Sequence, residues 1–145
     1  MVPVLGAPDL YRFTGGRPPD AGELRERYAR QVKGRSPDGR AVWRNWVARR
    51  RADGVAVGWI QATVTGSGVQ STAELAWTIA ADHQRQGYAR EAAALAVGAL
   101  RAEGVTRFAA HVHSEHAASI AVARSLGLVC TDRVHDGEVL WRTPD

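Results

Sequence analysis

The stretch WTIAADHQRQGYAREAAALAVGAL, residues 77–100, changes its grammar halfway. An apolar run carrying Trp77 and Ile79 gives way to a loop, QRQGYAR. The loop opens an alanine-rich run of strong helix formers that stops at Gly104. A strand, a loop and a helix in that order leave the first N–H groups of the helix without internal partners and partly positive. Gly87, with no Cβ, lets the backbone approach a phosphate there, Ala89 is the next smallest residue, and Arg85 and Arg90 add formal charge. The loop holds no cysteine, serine or acidic pair, so it reads as a binding element and not as the seat of chemistry. Neither G-K-[ST] nor G-x-G-x-x-G is present, which excludes a nucleotide-hydrolysing P-loop and the dinucleotide fingerprint.

Upstream, PPDAGELRERYARQ predicts a helix capped by Asp20, with Glu23 as its capping-box partner and Leu24, Tyr28 and Val32 on one apolar stripe. KGRSPDGR is a loop by its Gly, Pro and Asp content. AVWRNWVARR, GVAVGWIQATV and VQSTAELAWTIA read as three strands joined by short connections. In the last of them Leu75, Trp77 and Ile79 share one face, and Glu74, Ala76 and Thr78 the other. Downstream come the strand TRFAAHVH, the helix SEHAASIAVARSLG, and the strands LVCTDRV and EVLWRT, hinged on Asp136 and Gly137. The expected fold is α/β (α+β): one mixed sheet of about six strands with helices on both faces, its central pair made parallel by a right-handed crossover.

The chain's 145 residues suffice for one domain, taken as residues 1–145, and not for two. A hydrophobic content of 45% with 23% charged residues is that of an ordinary globular chain. The net charge of +4 is almost wholly arginine, Lys33 being the only lysine. Basic residues crowd between Arg25 and Arg51, but Glu23, Glu26, Asp38 and Asp53 interleave with them, so the acid-poor stripe of a nucleic-acid binder is missing. No apolar run reaches the roughly 18 residues of a membrane span. The start, MVPVLGAPDL, has no basic region followed by a long apolar core. Cys130, the single cysteine, excludes an internal disulfide and reads as a small core residue. The expectation is a cytoplasmic chain that engages neither membrane nor nucleic acid and holds no metal.

Strand AELAWTIA, loop QRQGYA, a long helix, strand FAAHVH and the run HAASIAVARSLGL together resemble the GNAT superfamily of acyl-CoA-dependent N-acyltransferases. The loop is similar to that family's [QR]-x-x-G-x-[GA] pyrophosphate motif at Gln84, Gly87 and Ala89. The second helix resembles the N-x-x-S…G-F segment of the ribosomal-protein N-acetyltransferase-like subgroup. The resemblance spans roughly residues 9–142 and is most specific from Glu74 to Leu128. It implies acetyl-coenzyme A as cofactor and a sheet whose central parallel strands splay apart. The diphosphate would lie on Gln84, Arg85, Gln86, Gly87, Tyr88, Ala89 and Arg90. Main-chain groups around Thr78, Ile79 and Ala80 would hold the pantetheine arm, with His116 and Ser119 near the thioester.

Four departures stand out. His116 occupies the usual Asn position and Leu128 the usual Phe; Ala123 stands where many relatives carry a Tyr that protonates the departing thiolate. The family also opens with a strand before its first helix, whereas MVPVLGAPDLYRFTGG resembles that helix and the loop after it. The sheet is therefore expected to be one strand short, with the first strand missing or upstream. AVWRNWVARR, with Trp43 and Trp46, would become an exposed edge through which two copies could pair.

Transfer of an acetyl group to an amine needs a neutral amine and a stabilised carbonyl oxygen. Three residues are candidate bases. His111 and His113 lie two apart on one strand and so share a face. His111 falls, in the resemblance, where one subgroup places a catalytic Glu, and an imidazole titrating at about 6.5 suits proton abstraction near neutrality. Glu74 points away from Leu75 and Trp77 and so towards the cleft. Glu74 and His111 rank level, with His113 behind. Most of the five tryptophans read as core. The implied activity is acetyl transfer to a primary amine of a small molecule or a peptide N-terminus. The alternative is a non-catalytic acyl-CoA-binding sensor, motivated by Ala123 and His116.

Overall fold

The computed structural model describes residues 21–145; Asp20 and the N-terminal segment discussed above lie outside them. Helix α1 (Ala21–Val32) carries Glu23 in its first turn and Arg30 in its last, both of the sign that helix ends favour. Val32, expected on an apolar stripe, is 85% exposed, being the last helical residue before the chain turns at Gly34.

Strands β1 (Ala41–Arg49), β2 (Ala56–Thr65) and β3 (Thr72–Ile79) form an antiparallel meander. Helix α2 (Tyr88–Ala102) leads to β4 (Arg107–His113), which runs parallel to β3. Helix α3 (Ala117–Ser125) and the hairpin of β5 (Val129–His135) and β6 (Glu138–Arg142) complete a six-stranded mixed sheet ordered β1-β2-β3-β4-β6-β5. Both helical crossovers step the same way across the sheet, and right-handed connections then place α2 and α3 on one face. There Val97 and Leu100 of α2 and Ala123 of α3 meet Leu75, Phe108, Ala110, Val112 and Trp141 in one buried cluster. Burying Leu100 and Phe108 contributes roughly 1.5–3 kcal/mol each. Helix α1 packs against β1.

Two expectations about the core need correction. Among the tryptophans only Trp141 is buried; Trp46 and Trp77 are partly covered against the cluster. Strand alternation turns Trp43 and Trp59, both half-buried, to the opposite face. Cys130 is exposed, because β5 is an edge strand whose register breaks between Cys130 and Val134.

Among the described residues β1 is the other edge, but it is not open along its length. The Trp43 N–H donates to the Gly34 carbonyl at 2.8 Å and the Ser36 N–H to the Ala41 carbonyl at 2.9 Å. An irregularity between Ala48 and Arg49 ends the strand's regular pairing. Outward-facing main chain is thereby confined to Asn45 and Val47, which blunts the edge as a template.

Candidate active site

Strands β3 and β4 pair over only three residues, Thr72↔Arg107, Ala73↔Phe108 and Glu74↔Ala109, and then part. The Ala80 N–H donates to the Val57 carbonyl at 2.8 Å; alternation along an antiparallel pair then directs the amides of residues 76, 78 and 80 to β2 and those of 77 and 79 into the gap. On β4, the Thr143 N–H donates to the Phe108 carbonyl at 2.9 Å, so residues 108, 110 and 112 face β6 and the main chain of His111 faces the gap. This corrects the main-chain assignment made from sequence. Thr78 and Ala80 have their amides engaged with β2; Trp77 and Ile79 present theirs. Gly58 makes that arrangement sterically feasible. A Cβ there would lie 2.1 Å from the Thr78 carbonyl oxygen and 2.8 Å from Ile79 Cδ1, so β2 can seat the end of β3 only through a glycine. Sequence reading did not single it out, since an isolated Gly in a strand signals a close approach without naming the partner.

Glu74 and His111, read as rival bases, are partners. Glu74 is on the last rung of the parallel ladder, and His111 lies two residues beyond Ala109 on the same face. The separation of Glu74 Oε1 from His111 Nδ1 is 2.7 Å, across the point where the strands part. An ionised carboxylate only accepts, so Nδ1–H donates and Nε2 carries the lone pair. Nε2 has no protein partner among the described residues. The side chains are 54% and 30% exposed, so the pair adds little to stability, and its geometry is that of a base held by an orienting acid. His113 is arranged differently: its Nδ1 accepts the Glu115 N–H at 3.2 Å, which ties that nitrogen to the turn after β4.

The loop before α2 contains two left-handed residues, Arg85 (φ 62°) and Gly87 (φ 83°). Gly87 is the N-cap of α2, and no side chain caps the helix there. The Glu91 N–H donates to the Gly87 carbonyl at 3.1 Å, so the amides of Tyr88, Ala89 and Arg90 precede the first helical hydrogen bond. Nothing lies within 4 Å of where a Cβ on Gly87 would sit. Neither Arg85 nor Arg90 forms an ion pair among the described residues. Gln84 is turned inward: its Nε2 donates to the Ile79 carbonyl at 3.0 Å and fastens the loop to the strand end. Gln86 is exposed in the middle of the loop. Tyr88 lies beside Arg50, whose guanidinium is paired with Asp53 and holds that carboxyl down at about 2. A helix start with no side-chain cap, open space at Gly87, two arginines without an ion pair among the described residues and main-chain donors along the gap fit a cofactor with a diphosphate and an amide-bearing arm.

At the start of α3, His116 is the N-cap, and its Nδ1 accepts the Ser119 N–H at 3.3 Å. Burial, then the neighbouring charge of His113, hold the His116 imidazole below its ordinary value. The folded protein therefore takes up this proton less readily than the unfolded chain. The stabilisation is fully present above about pH 6.5 and declines as the pH falls below it. The urea midpoint is expected to fall from pH 7.5 to 5.5 by the equivalent of up to about 1 kcal/mol, the worth of an N-cap. His116→Asn, which caps without titrating, should flatten part of that slope; identical slopes in both proteins would reject the assignment. Ala123 is fully buried against β4 and offers no donor in place of a tyrosine.

A family model described as the Acetyltransferase (GNAT) domain matches residues 2–129. No curated protein matches the chain. Among solved structures, the chain is similar to AAC(6')-Ib in complex with Parmomycin and AcetylCoA, at 17% identity and TM-score 0.76, covering 98% of this chain and 84% of that one. It is likewise similar to spermidine N-acetyltransferase from Vibrio cholerae in complex with CoA and spermine, at 17% identity and TM-score 0.73, covering 96% and 83%. Ribosomal-protein-alanine N-acetyltransferase from Brucella melitensis follows at 22% identity and TM-score 0.62, covering 81% and 76%. At these identities the likenesses speak for the fold alone, and they do not single out the ribosomal-protein subgroup. A splayed parallel pair, a glycine-opened helix start beside it and a family model over most of the sequence converge: the chain belongs to the GNAT acetyltransferase domain family.

Proposed function

We propose that the protein transfers an acetyl group from acetyl-coenzyme A to a primary amine of a small molecule or a peptide N-terminus. The observation that carries this reading is the hydrogen bond between Glu74 and His111, set where β3 and β4 part. Acetyl-coenzyme A, when bound, supplies an activated thioester. The loop amides after Gly87, with Arg85 and Arg90, hold its diphosphate, and the main chain of Trp77, Ile79 and His111 lines the gap for its arm. His111 Nε2 takes the proton that the incoming amine must lose, and Glu74 keeps the imidazole in the tautomer that can accept it. The acetyl group would pass from sulfur directly to the amine nitrogen, with coenzyme A leaving as its thiolate, so no nucleophilic side chain would be required.

A second reading, an acyl-coenzyme A sensor without turnover, is favoured by Ala123, whose place in the core leaves that position without a side-chain acid for the thiolate. The two separate in one assay. Free thiol is followed after acetyl-coenzyme A is offered with a panel of primary amines, polyamines and peptides. Amine-dependent release is the expected result. Saturable binding of coenzyme A with no release across the panel favours the sensor.

A further inference from the structure

Ser119 lies half-buried in the first turn of α3, where both its N–H and its Oγ have protein partners. Its N–H donates to His116 Nδ1. Its Oγ accepts the indole N–H of Trp77 at 3.2 Å, across 42 residues of sequence. The hydroxyl hydrogen has no acceptor among the described residues. A hydroxyl has one donor and two lone pairs, so accepting the indole N–H leaves the O–H as the single unmatched donor, turned away from the ring. Trp77 is placed for this by the splay. It lies on β3 three residues past the last rung shared with β4, on the face that α2 and α3 cover, and packs partly buried against the core with Ile120.

We infer that Trp77 is a positioning residue for the cofactor's arm: its indole N–H fixes the Ser119 rotamer so that the Ser119 O–H meets a carbonyl oxygen of a ligand lying in the gap. The inference rests on the proposed coenzyme A site. It assigns to Trp77 a task besides filling space, and makes Ser119 a donor whose aim is set from another element. Were the indole only packing, phenylalanine would serve as well.

The test is calorimetric titration of the full chain with coenzyme A, comparing wild type, Trp77→Phe, Ser119→Ala, Ser119→Thr and the double variant Trp77→Phe with Ser119→Ala, each checked for folding by circular dichroism. Ser119→Ala and Trp77→Phe are each expected to raise Kd by about threefold to tenfold, the effect of one neutral hydrogen bond. The double variant should bind no more weakly than Ser119→Ala alone, because both changes remove one interaction. Ser119→Thr, which keeps the hydroxyl, should bind like wild type. Wild-type affinity in Trp77→Phe, or penalties that multiply in the double variant, overturns the inference and leaves the coenzyme A site standing. Should Trp77→Phe fail to fold, wild-type affinity in Ser119→Ala overturns it equally. Absence of coenzyme A binding by the wild type removes the site itself and the inference with it.

Discussion

Replacing His111 with alanine is expected to lower kcat for acetyl transfer by about a hundredfold or more, with coenzyme A affinity nearly unchanged. The split follows from placement. His111 Nε2 has no protein partner among the described residues, while its Nδ1 is held by Glu74, and the loop that would hold the diphosphate lies at the other end of the divergence. Glu74→Gln should cost about tenfold to a hundredfold. A glutamine amide can present either its oxygen or its NH2 to Nδ1, and the second choice leaves Nε2 protonated and useless as a base. Because one residue acts through the other, the double variant should be little slower than His111→Ala. Steady-state kinetics with the best amine from the panel checks both. Unchanged rates in the two single variants would remove the pair from the chemistry.

Gly87→Glu is expected to weaken coenzyme A binding by about a hundredfold or more while the protein still folds. The glycine sits at φ 83°, where an L-residue is strained by about 1–2 kcal/mol, yet a Cβ would strike nothing within 4 Å. A carboxylate at a helix start is, if anything, favourable to the helix. The same negative charge repels a diphosphate and competes for the amides of Tyr88, Ala89 and Arg90, forfeiting charge-assisted bonds worth about 1.5–3 kcal/mol each. Gly87→Ala separates strain from charge and should lose much less. Titration calorimetry on both decides it: a Gly87→Glu protein that binds coenzyme A as wild type does would move the diphosphate elsewhere.

The elements were legible in the sequence because their signals are local. The alternation in β3, the alanine run of α2 and the Gly104 stop each depend on neighbours a few residues away, and the strands and helices start and end within a few residues of where those signals put them. The loop was legible for the same reason: Gly87 stands at the start of α2, where the sequence put a residue without a Cβ. What could not be read was register between distant strands. Glu74 and His111 are 37 residues apart, and only the Glu74↔Ala109 rung shows that they meet. Register also decided which amides face the gap: of Thr78, Ile79 and Ala80, named together from the sequence, only Ile79 turns its amide there, and Trp77, not named, does so too. Cys130 was misplaced because a strand's position at an edge is a property of the whole sheet. The capping role of Asp20 falls outside the described residues.

A ladder of three rungs at the middle of a six-stranded sheet divides its main chain into two leaves, which the core under α2 and the Glu74–His111 and Trp77–Ser119 hydrogen bonds also tie together. One leaf is the meander, the other the strands that follow α2. Ordinary sheets leave main-chain groups unpaired at their rims; this one leaves some at its centre as well. An extended guest lodged there could pair with both leaves and carry the ladder on past its third rung.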